Sequence, residues 1–183
     1  GMIEIRWHGR GGQGAFTAAR LLGQAAAIHE NKYVQAFPSF GPERRGAPVL
    51  AFTRIDEKKI TDRSEVEACD YVVVLDETLY GPAVTQGLKP RGLMIINSAK
   101  GADQFGSTGF TVVTIDATTL ALDVLGRPIT NVPMLGALAA AANLVELDSL
   151  LQAIDDHLPP KIRDANKQLL VRSFQAVKGG SVA

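Results

Sequence analysis

The chain has 183 residues, of which 46% are hydrophobic and 21% are charged, so it can bury one sizeable core and is too apolar to be disordered. Nineteen basic residues balance nineteen acidic residues, which excludes the strong positive field of a nucleic-acid-binding or membrane-surface protein. The single cysteine, Cys69, excludes an internal disulfide, and it excludes a four-cysteine iron–sulfur cluster or zinc site built from this chain alone.

Cysteine usage and hydropathy also indicate where the protein resides. One thiol fits a reducing compartment. The longest apolar run, residues 135–142, is far too short to span a bilayer. We therefore predict a cytoplasmic protein with neither a membrane nor a nucleic acid as partner.

Strand-like and helix-like segments alternate along the chain. The predicted strands cover residues 3–8, 33–37, 48–55, 71–75, 93–97 and 110–115. The predicted helices cover residues 16–30, 76–86, 116–125, 133–144, 148–157 and 161–177, and Gly81-Pro82 interrupts the second of them. Alternation of this kind is typical of a largely parallel sheet with helices packed on it.

Several segments carry more specific signals. Residues 71–75 are a continuous apolar run, which suits a central strand covered on both faces. Residues 133–144 are apolar on all sides, which predicts a buried helix. We expect Asp148 to cap the next helix and residues 181–183 to fray. Together these signals predict one domain over residues 1–183, a Rossmann-like three-layer α/β/α fold with a mostly parallel or mixed sheet and a helical C-terminal third.

The first motif is a glycine loop, Gly9-Arg10-Gly11-Gly12-Gln13-Gly14, which fits G-x-G-x-x-G between a strand and a helix. The glycines would permit a tight turn and close backbone approach, and the helix start would add a positive dipole end. A dinucleotide site also needs an acid about 20 residues further on, where this chain has none. The loop therefore either contacts an anion or a partner, or only brings loop, helix and sheet together.

The second motif is the Pro/Arg loop, which we define as residues 38–48. Three prolines stiffen it, and Phe40, Arg44 and Arg45 are residue types that are enriched in interfaces. Either these side chains form a contact surface, or the phenylalanines pack into the core and the arginines are solvated.

Four other residues are candidates for a functional role. Cys69 precedes a buried strand and is predicted to be a structural thiol. His8 ends a strand at the glycine loop and could touch whatever the loop touches. Asp76 follows a buried strand, where it is either a ligand residue or, as we favour, a helix cap. Asn131 starts the buried helix near the strand ends, so it stays a candidate.

Three segments together resemble a known family: EIRWHGRGGQGA at residues 4–15, FPSFGPERRGAP at residues 37–48 and NVPMLGA at residues 131–137. Smaller matches are Leu75-Asp76, Asn97-Ser98, Asn166 and Gly179. The chain resembles the gamma subunit of 2-oxoacid:ferredoxin oxidoreductases over almost its whole length. The second segment is closer to the pyruvate and branched-chain types than to the 2-oxoglutarate type. Two residues depart from the family pattern: Pro42 stands where pyruvate-type chains often have a hydrophobic residue, and Trp7 replaces a more usual phenylalanine or isoleucine.

The resemblance implies a complex that oxidatively decarboxylates a 2-oxoacid, here pyruvate, transfers the acyl group to coenzyme A and passes electrons to ferredoxin or flavodoxin. It implies thiamine diphosphate, Mg²⁺ and 4Fe–4S clusters in the complex, and alpha, beta and ferredoxin-like delta subunits as partners. It gives this chain no catalytic residue and no metal ligand, so we expect the isolated chain to be inactive.

The site prediction combines both motifs with the start of the buried helix. The residues expected to contact a cofactor or a partner subunit are Gly9, Arg10, Gly11, Gly12, Gln13, Gly14, Phe40, Gly41, Glu43, Arg44, Arg45 and Asn131. Other readings of the function are a gamma subunit for 2-oxoglutarate, branched-chain oxoacids or indolepyruvate, a docking module, and a stand-alone NAD- or FAD-dependent oxidoreductase.

Overall fold

The structure is a computed structural model that describes residues 1–106 and 109–179. These residues form six strands and six α-helices, joined by turns and loops. The strands are β1 (Ile3–Arg10), β2 (Tyr33–Pro38), β3 (Pro48–Asp56), β4 (Cys69–Val74), β5 (Leu88–Asn97) and β6 (Thr111–Ile115). The helices are α1 (Ala15–Gln24), α2 (Pro82–Thr85), α3 (Ala117–Leu125), α4 (Asn131–Ala142), α5 (Leu147–His157) and α6 (Pro160–Lys178). The fraying predicted for residues 181–183 lies outside the described residues.

The strands form one mixed sheet in the order β2-β3-β1-β4-β5-β6. Strands β1, β4, β5 and β6 run parallel to one another, whereas β3 runs antiparallel to both of its neighbours, β1 and β2. In the centre of the sheet, Trp7 pairs with Ala51 on one side and with Val73 on the other. The α/β prediction is confirmed, in its mixed-sheet form.

The two faces of the sheet are covered unequally. Side chains of one face, among them Ile5, Trp7 and Val73, pack in a large core with α1, α3, α4, α5 and α6. Side chains of the other face, such as Val72 and Met94, pack in a smaller core with α2 and with residues of the connecting segments. Helices therefore lie on both sides, but the long ones all lie on one.

Helix α4 is the centre of the large core. It is apolar on every side because it lies between the sheet and α6, which confirms the predicted buried helix. At Gly136 a Cβ atom would overlap the Leu170 carbonyl and the Ser173 hydroxyl of α6, so the absence of a side chain sets the distance between the two helices. The helical C-terminal third is as predicted.

Two local predictions differ from the structure, and a third is confirmed. The helix expected over residues 16–30 ends in a π-helical turn, Ala25–His29, before Asn31 takes a left-handed backbone conformation. The helical segment 76–86 is interrupted at Gly81, as predicted, and consists of a 3₁₀ turn, Glu77–Leu79, and the short α2. Asp148 does not cap α5, because the capping position is Glu146 and Asp148 lies in the first turn.

The sheet topology places a crevice at the carboxyl end of β1. After β1 the chain continues to β2 and β3 on one side, and it returns to β4 on the other side. In open α/β sheets, ligands bind outside the carboxyl ends of strands at such a point of reversal. The glycine loop follows β1 and Asp76 follows β4, so both lie at this crevice. No helix in the described part of the chain is long and apolar enough to cross a membrane.

Candidate functional site

The glycine loop is joined to the Pro/Arg loop through backbone hydrogen bonds. The Gly11 N–H donates to the Ala47 carbonyl at 2.8 Å, and the Gly46 N–H donates to the Gly11 carbonyl at 3.0 Å. A Cβ atom at Gly11 would overlap the Arg44 carbonyl oxygen, so the two loops lie as close as backbones can. The two motifs therefore form one structural unit.

The other glycines of the loop have different roles. Gly9 belongs to β1, pairs with Val49 and would accommodate a Cβ in ordinary contact, so the tight turn expected there is absent. Gly12 is exposed. Gly14 precedes α1 in a left-handed conformation, and a Cβ there would collide with the Asn131 amide. The loop's glycine content is thus explained in part by packing within this chain.

Arg10 and Gln13 converge on Asp76 at the crevice between β1 and β4. The Gln13 amide donates to Asp76 Oδ2 at 3.0 Å, and Arg10 Nε lies 3.4 Å from the same oxygen. Arg10 also donates to the Gly46 carbonyl and to the Thr78 hydroxyl. Arg10 is therefore held across both loops rather than free in solvent.

Asp76 has both of the roles weighed for it. Its Oδ1 accepts from the Thr78 N–H at 3.0 Å, which caps the 3₁₀ turn, while its Oδ2 binds the glycine loop. Burial disfavours the charged carboxylate, but the hydrogen bonds from Thr78 and Gln13 and the charge of Arg10 outweigh it and hold the pKa of Asp76 below its ordinary value. The Asp76 carboxylate is thus ionised and is bound by groups of this chain.

The Pro/Arg loop is anchored at its base and exposed at its tip. The Ser39 N–H donates to the Leu50 carbonyl at 2.9 Å, and the Phe40 N–H donates to Glu65 Oε2 at 2.8 Å. The Phe40 ring stacks on Phe37 with centroids 6.0 Å apart, and Phe40 is nevertheless 72% exposed. A phenylalanine this exposed on an anchored loop contradicts the alternative that both rings pack into the core.

The tip of the loop carries the predicted charged residues. Gly41, Glu43, Arg44 and Arg45 are all exposed. Within the described residues, neither Arg44 nor Arg45 has a carboxylate at ion-pair distance. The backbone of Arg45 forms a bridge with Gly11, so the position of this pair along the chain is fixed by the glycine loop.

Asn131 joins the same region from the other side. It is buried at the start of α4, and its amide lies 3.4 Å from the Gly14 carbonyl at the entrance to α1. Its neighbour Thr130 donates to the Leu75 carbonyl at the end of β4. Asn131 therefore contacts the entrance to α1 through Gly14, and it also lines a cavity of about 490 Å³.

A cleft of about 430 Å³ opens at the carboxyl ends of β4, β5 and β6. Its polar lining includes Gln13, Asp76, Ser98 and Asp116. Of these, only Gln13 was predicted as a site residue. Asp76 was favoured as a helix cap, and Ser98 was noted only as part of the smaller matches to the family pattern. The signal that finds the others is their position directly after buried strands.

His8 lies away from the site. Its side chain is on the opposite face of the sheet from α1, 6% exposed, where Nε2 accepts from Arg6 Nε at 2.8 Å. Burial, together with the charge of Arg6, lowers the pKa of His8 from 6.5 to about 3. The expectation that His8 touches what the glycine loop touches is therefore wrong.

Metal-ligating side chains are not clustered in the described part of the chain. Residues 1–106 and 109–179 contain no cluster of three or more histidine, cysteine or acidic side chains that could hold a metal ion. Cys69 is fully buried, and burial raises the pKa of its thiol. A single buried thiol does not fit an iron–sulfur cluster, which is held by four cysteines.

Comparison with known proteins identifies relatives of the same length. Residues 4–176 match the family model described as pyruvate ferredoxin/flavodoxin oxidoreductase. The pyruvate synthase subunit PorC of Methanothermobacter marburgensis is 51% identical over 178 residues, which cover 97% of this chain and 98% of that protein. The pyruvate/ketoisovalerate oxidoreductases common subunit gamma of Pyrococcus abyssi is 49% identical and is covered to 96%, with 95% of this chain aligned.

A solved structure supports the same assignment. The crystal structure of the pyruvate oxidoreductase subunit PORC of Thermotoga maritima superposes with a TM-score of 0.83 at 40% identity, covering 95% of this chain and 96% of that one. The resemblance drawn from the glycine loop, the Pro/Arg loop and the NVPMLGA segment is thereby confirmed. The chain belongs to the pyruvate ferredoxin/flavodoxin oxidoreductase family, as a gamma subunit.

Proposed function

We propose that this gamma subunit completes a complex that oxidatively decarboxylates pyruvate to acetyl-coenzyme A and carbon dioxide and passes electrons to ferredoxin or flavodoxin. Relatives that match it from end to end are named as subunits of pyruvate synthase, which supports pyruvate as the substrate. Thiamine diphosphate with Mg²⁺, coenzyme A and the 4Fe–4S clusters belong to the complex, on its alpha, beta and ferredoxin-like delta subunits.

The substrate is selected in those partner chains. The Pyrococcus relative is named as a subunit common to pyruvate and ketoisovalerate oxidoreductases, which supports a gamma chain that does not itself choose the oxoacid. Branched-chain oxoacids, 2-oxoglutarate and indolepyruvate are the other substrates to assay. Acetyl-coenzyme A formation by the purified complex, measured with each oxoacid in turn, distinguishes them.

The role of this chain is to present a preformed contact surface made of the joined glycine and Pro/Arg loops. The observation that carries this is the backbone contact of Gly11 with Arg44 and Ala47, which fixes exposed, unpaired arginines and an exposed phenylalanine in one place. A surface that is ordered before binding loses less conformational entropy when a partner binds. Gly9, Arg10, Gly12, Gln13, Gly14 and Asn131 support this surface, and Phe40, Gly41, Glu43, Arg44 and Arg45 form it.

Affinity purification of the chain from its native cell, at native expression, tests the subunit role. The chain should retain a thiamine-diphosphate-binding partner and a ferredoxin-like partner in fixed ratio. Recovery of the chain alone, under conditions that preserve other cytoplasmic complexes, would contradict the proposal.

The dinucleotide alternative loses its structural basis in the sheet topology. In a dinucleotide-binding unit the strand after the first helix lies parallel and next to the first strand, and its acid reaches the ribose. Here the antiparallel β3 lies next to β1, and β2 lies beyond it. Calorimetric titration of the chain with NAD and with FAD should show no binding at micromolar concentration, and micromolar affinity for either would revive the alternative.

A further inference from the structure

A groove lies beside the arginine pair, between the start of α1 and the Pro/Arg loop. It has a volume of about 440 Å³, and its walls include Ala15, Phe16, Phe40, Pro42 and Val49. Of all the residues that line it, Glu43 alone carries a charge. The groove thus combines two phenylalanines and three prolines with polar groups, and aromatic side chains beside arginines are typical of interface centres.

The groove is held open by the fold. Prolines 38, 42 and 48 restrict the backbone of one wall, and Glu65 fixes that wall through the Phe40 N–H. The opposite wall is the first turn of α1, where Ala15 is fully packed against the core. Both walls are therefore in place without an occupant.

Three arginines near the groove outnumber the two carboxylates there, Glu43 in the wall and Glu65 on the Phe40 N–H. The Arg20 guanidinium lies 5.8 Å from the ring centroid of Phe16, so it stacks over one wall. Arg44 and Arg45 follow directly after Glu43 at the tip of the loop. Among residues 1–106 and 109–179, none of these three arginines has an ion-pair partner in the chain.

From this combination of aromatic walls and an excess of unpaired arginines, we propose that the groove receives an apolar side chain from an acidic segment of a partner subunit, whose carboxylates pair with Arg20, Arg44 and Arg45. The inference rests on the proposed subunit function and specifies the chemistry of the partner. Guanidinium groups bind carboxylates in paired hydrogen bonds, which gives such a contact specificity as well as attraction. Phe40 and Phe16 would bury the apolar side chain between them.

Charge also decides against a second copy of this chain as the occupant. In a symmetric dimer the same patch faces itself, so the three arginines of one copy would approach those of the other. Like charges brought together in an interface are unfavourable. Glu43 and Glu65 could pair with only two of the three arginines across such a dimer, so the patch keeps an excess of positive charge and we place the acidic segment on a different chain.

The test measures how tightly this chain binds the purified complex from which it has been removed. Arg20→Glu and Phe40→Ala should each raise the dissociation constant at least tenfold. The control is Lys59→Glu, an exposed cation beyond the far end of β3, which should change it less than twofold. The affinity of the unchanged protein should fall with added salt more steeply than that of Arg20→Glu.

Three other outcomes would contradict part of this account. Normal binding and turnover with both groove variants would overturn the groove proposal and leave the subunit role intact. Failure of the unchanged chain to rebind or to restore activity would instead overturn the subunit role. A concentration-dependent dimer of the isolated chain that Phe40→Ala abolishes would show that a second copy occupies the groove, contrary to the proposal.

Discussion

Gly11 is the residue at which the two sequence motifs meet. Because its missing Cβ leaves room for the Arg44 carbonyl, Gly11→Ala should force the loops apart and lower the free energy of unfolding by about 1–3 kcal/mol, the usual cost of overpacking. Gly81→Ala is the matched control, since a Cβ there meets nothing within 4 Å. Urea unfolding of both variants checks this, and equal stability would show that the loops adjust freely.

Arg44 and Arg45 are the residues whose role depends most on the partner. The double variant Arg44→Ala, Arg45→Ala should stay within about 0.5 kcal/mol of the original stability, because both side chains are exposed and unpaired. Its affinity for the rest of the complex should fall tenfold or more, since losing one side of a desolvated ion pair costs about 2–5 kcal/mol. A lower melting temperature with unchanged affinity would mean that the arginines brace this domain instead.

His8 makes stability depend on pH. The unfolded chain binds a proton on His8 below its ordinary pKa of 6.5, whereas the folded chain does so only near a pKa of about 3. Stability should therefore be greatest above pH 6.5 and fall toward pH 3, by up to about 1.4 kcal/mol per pH unit from this residue. His8→Gln, whose amide oxygen can still accept from Arg6, should unfold in urea with a shallower pH dependence. An unchanged slope would contradict the burial-lowered pKa.

At the scale of elements, the glycine loop is hydrogen-bonded to the facing loop at the carboxyl end of β1, so it is not a free loop. The amide hydrogens of Gly11 and Gly46 donate to backbone carbonyls of the facing loop. Hydrogen exchange should therefore be slower at both than at Lys59, which lies in an exposed turn. Exchange at the rate of an unprotected peptide would show that the two loops separate readily in solution.

The sequence predicts the elements well where a single physical signal dominates. The apolar runs of β4 and α4 and the amphipathic α6 agree with the structure to within two residues. The interruption of residues 76–86 at Gly81 was also predictable, because Gly and Pro together break a helix. The cap at Asp148 was misplaced because capping residues compete over one or two positions, which tertiary packing decides. The antiparallel insertion of β3 next to β1 leaves no local mark, since strand order is set by long-range pairing.

In the candidate site, too, the residue types were predictable from the sequence, whereas the contacts between them were not. The glycine loop and the Pro/Arg loop were identifiable from residue types, but their contact through Gly11 depends on chain segments more than 30 residues apart. Asp76 illustrates the limit, because a residue directly after a strand looks like a simple cap whether or not it also binds Arg10 and Gln13. The groove that includes Arg20 and Phe16 could not be found from the sequence, since α1 and the Pro/Arg loop meet only in the folded chain.

At the scale of the whole molecule, the fold places its candidate functional loops at one end of the sheet. The large core on one face of the sheet stabilises the fold, and the carboxyl edge presents the joined loops. The described residues contain no group of three or more side chains that could hold a metal ion, and burial raises the pKa of the Cys69 thiol. We expect turnover only when the chain is joined with its partner subunits.

Pyruvate-dependent reduction of ferredoxin, with thiamine diphosphate, Mg²⁺ and coenzyme A present, tests this central claim most directly. The purified chain alone should be colourless and should show no turnover, and the complex that lacks it should regain activity in proportion to the chain added, up to one equivalent. Turnover by the isolated chain, or full activity of the complex without it, would contradict the assignment of this protein as an essential, non-catalytic gamma subunit.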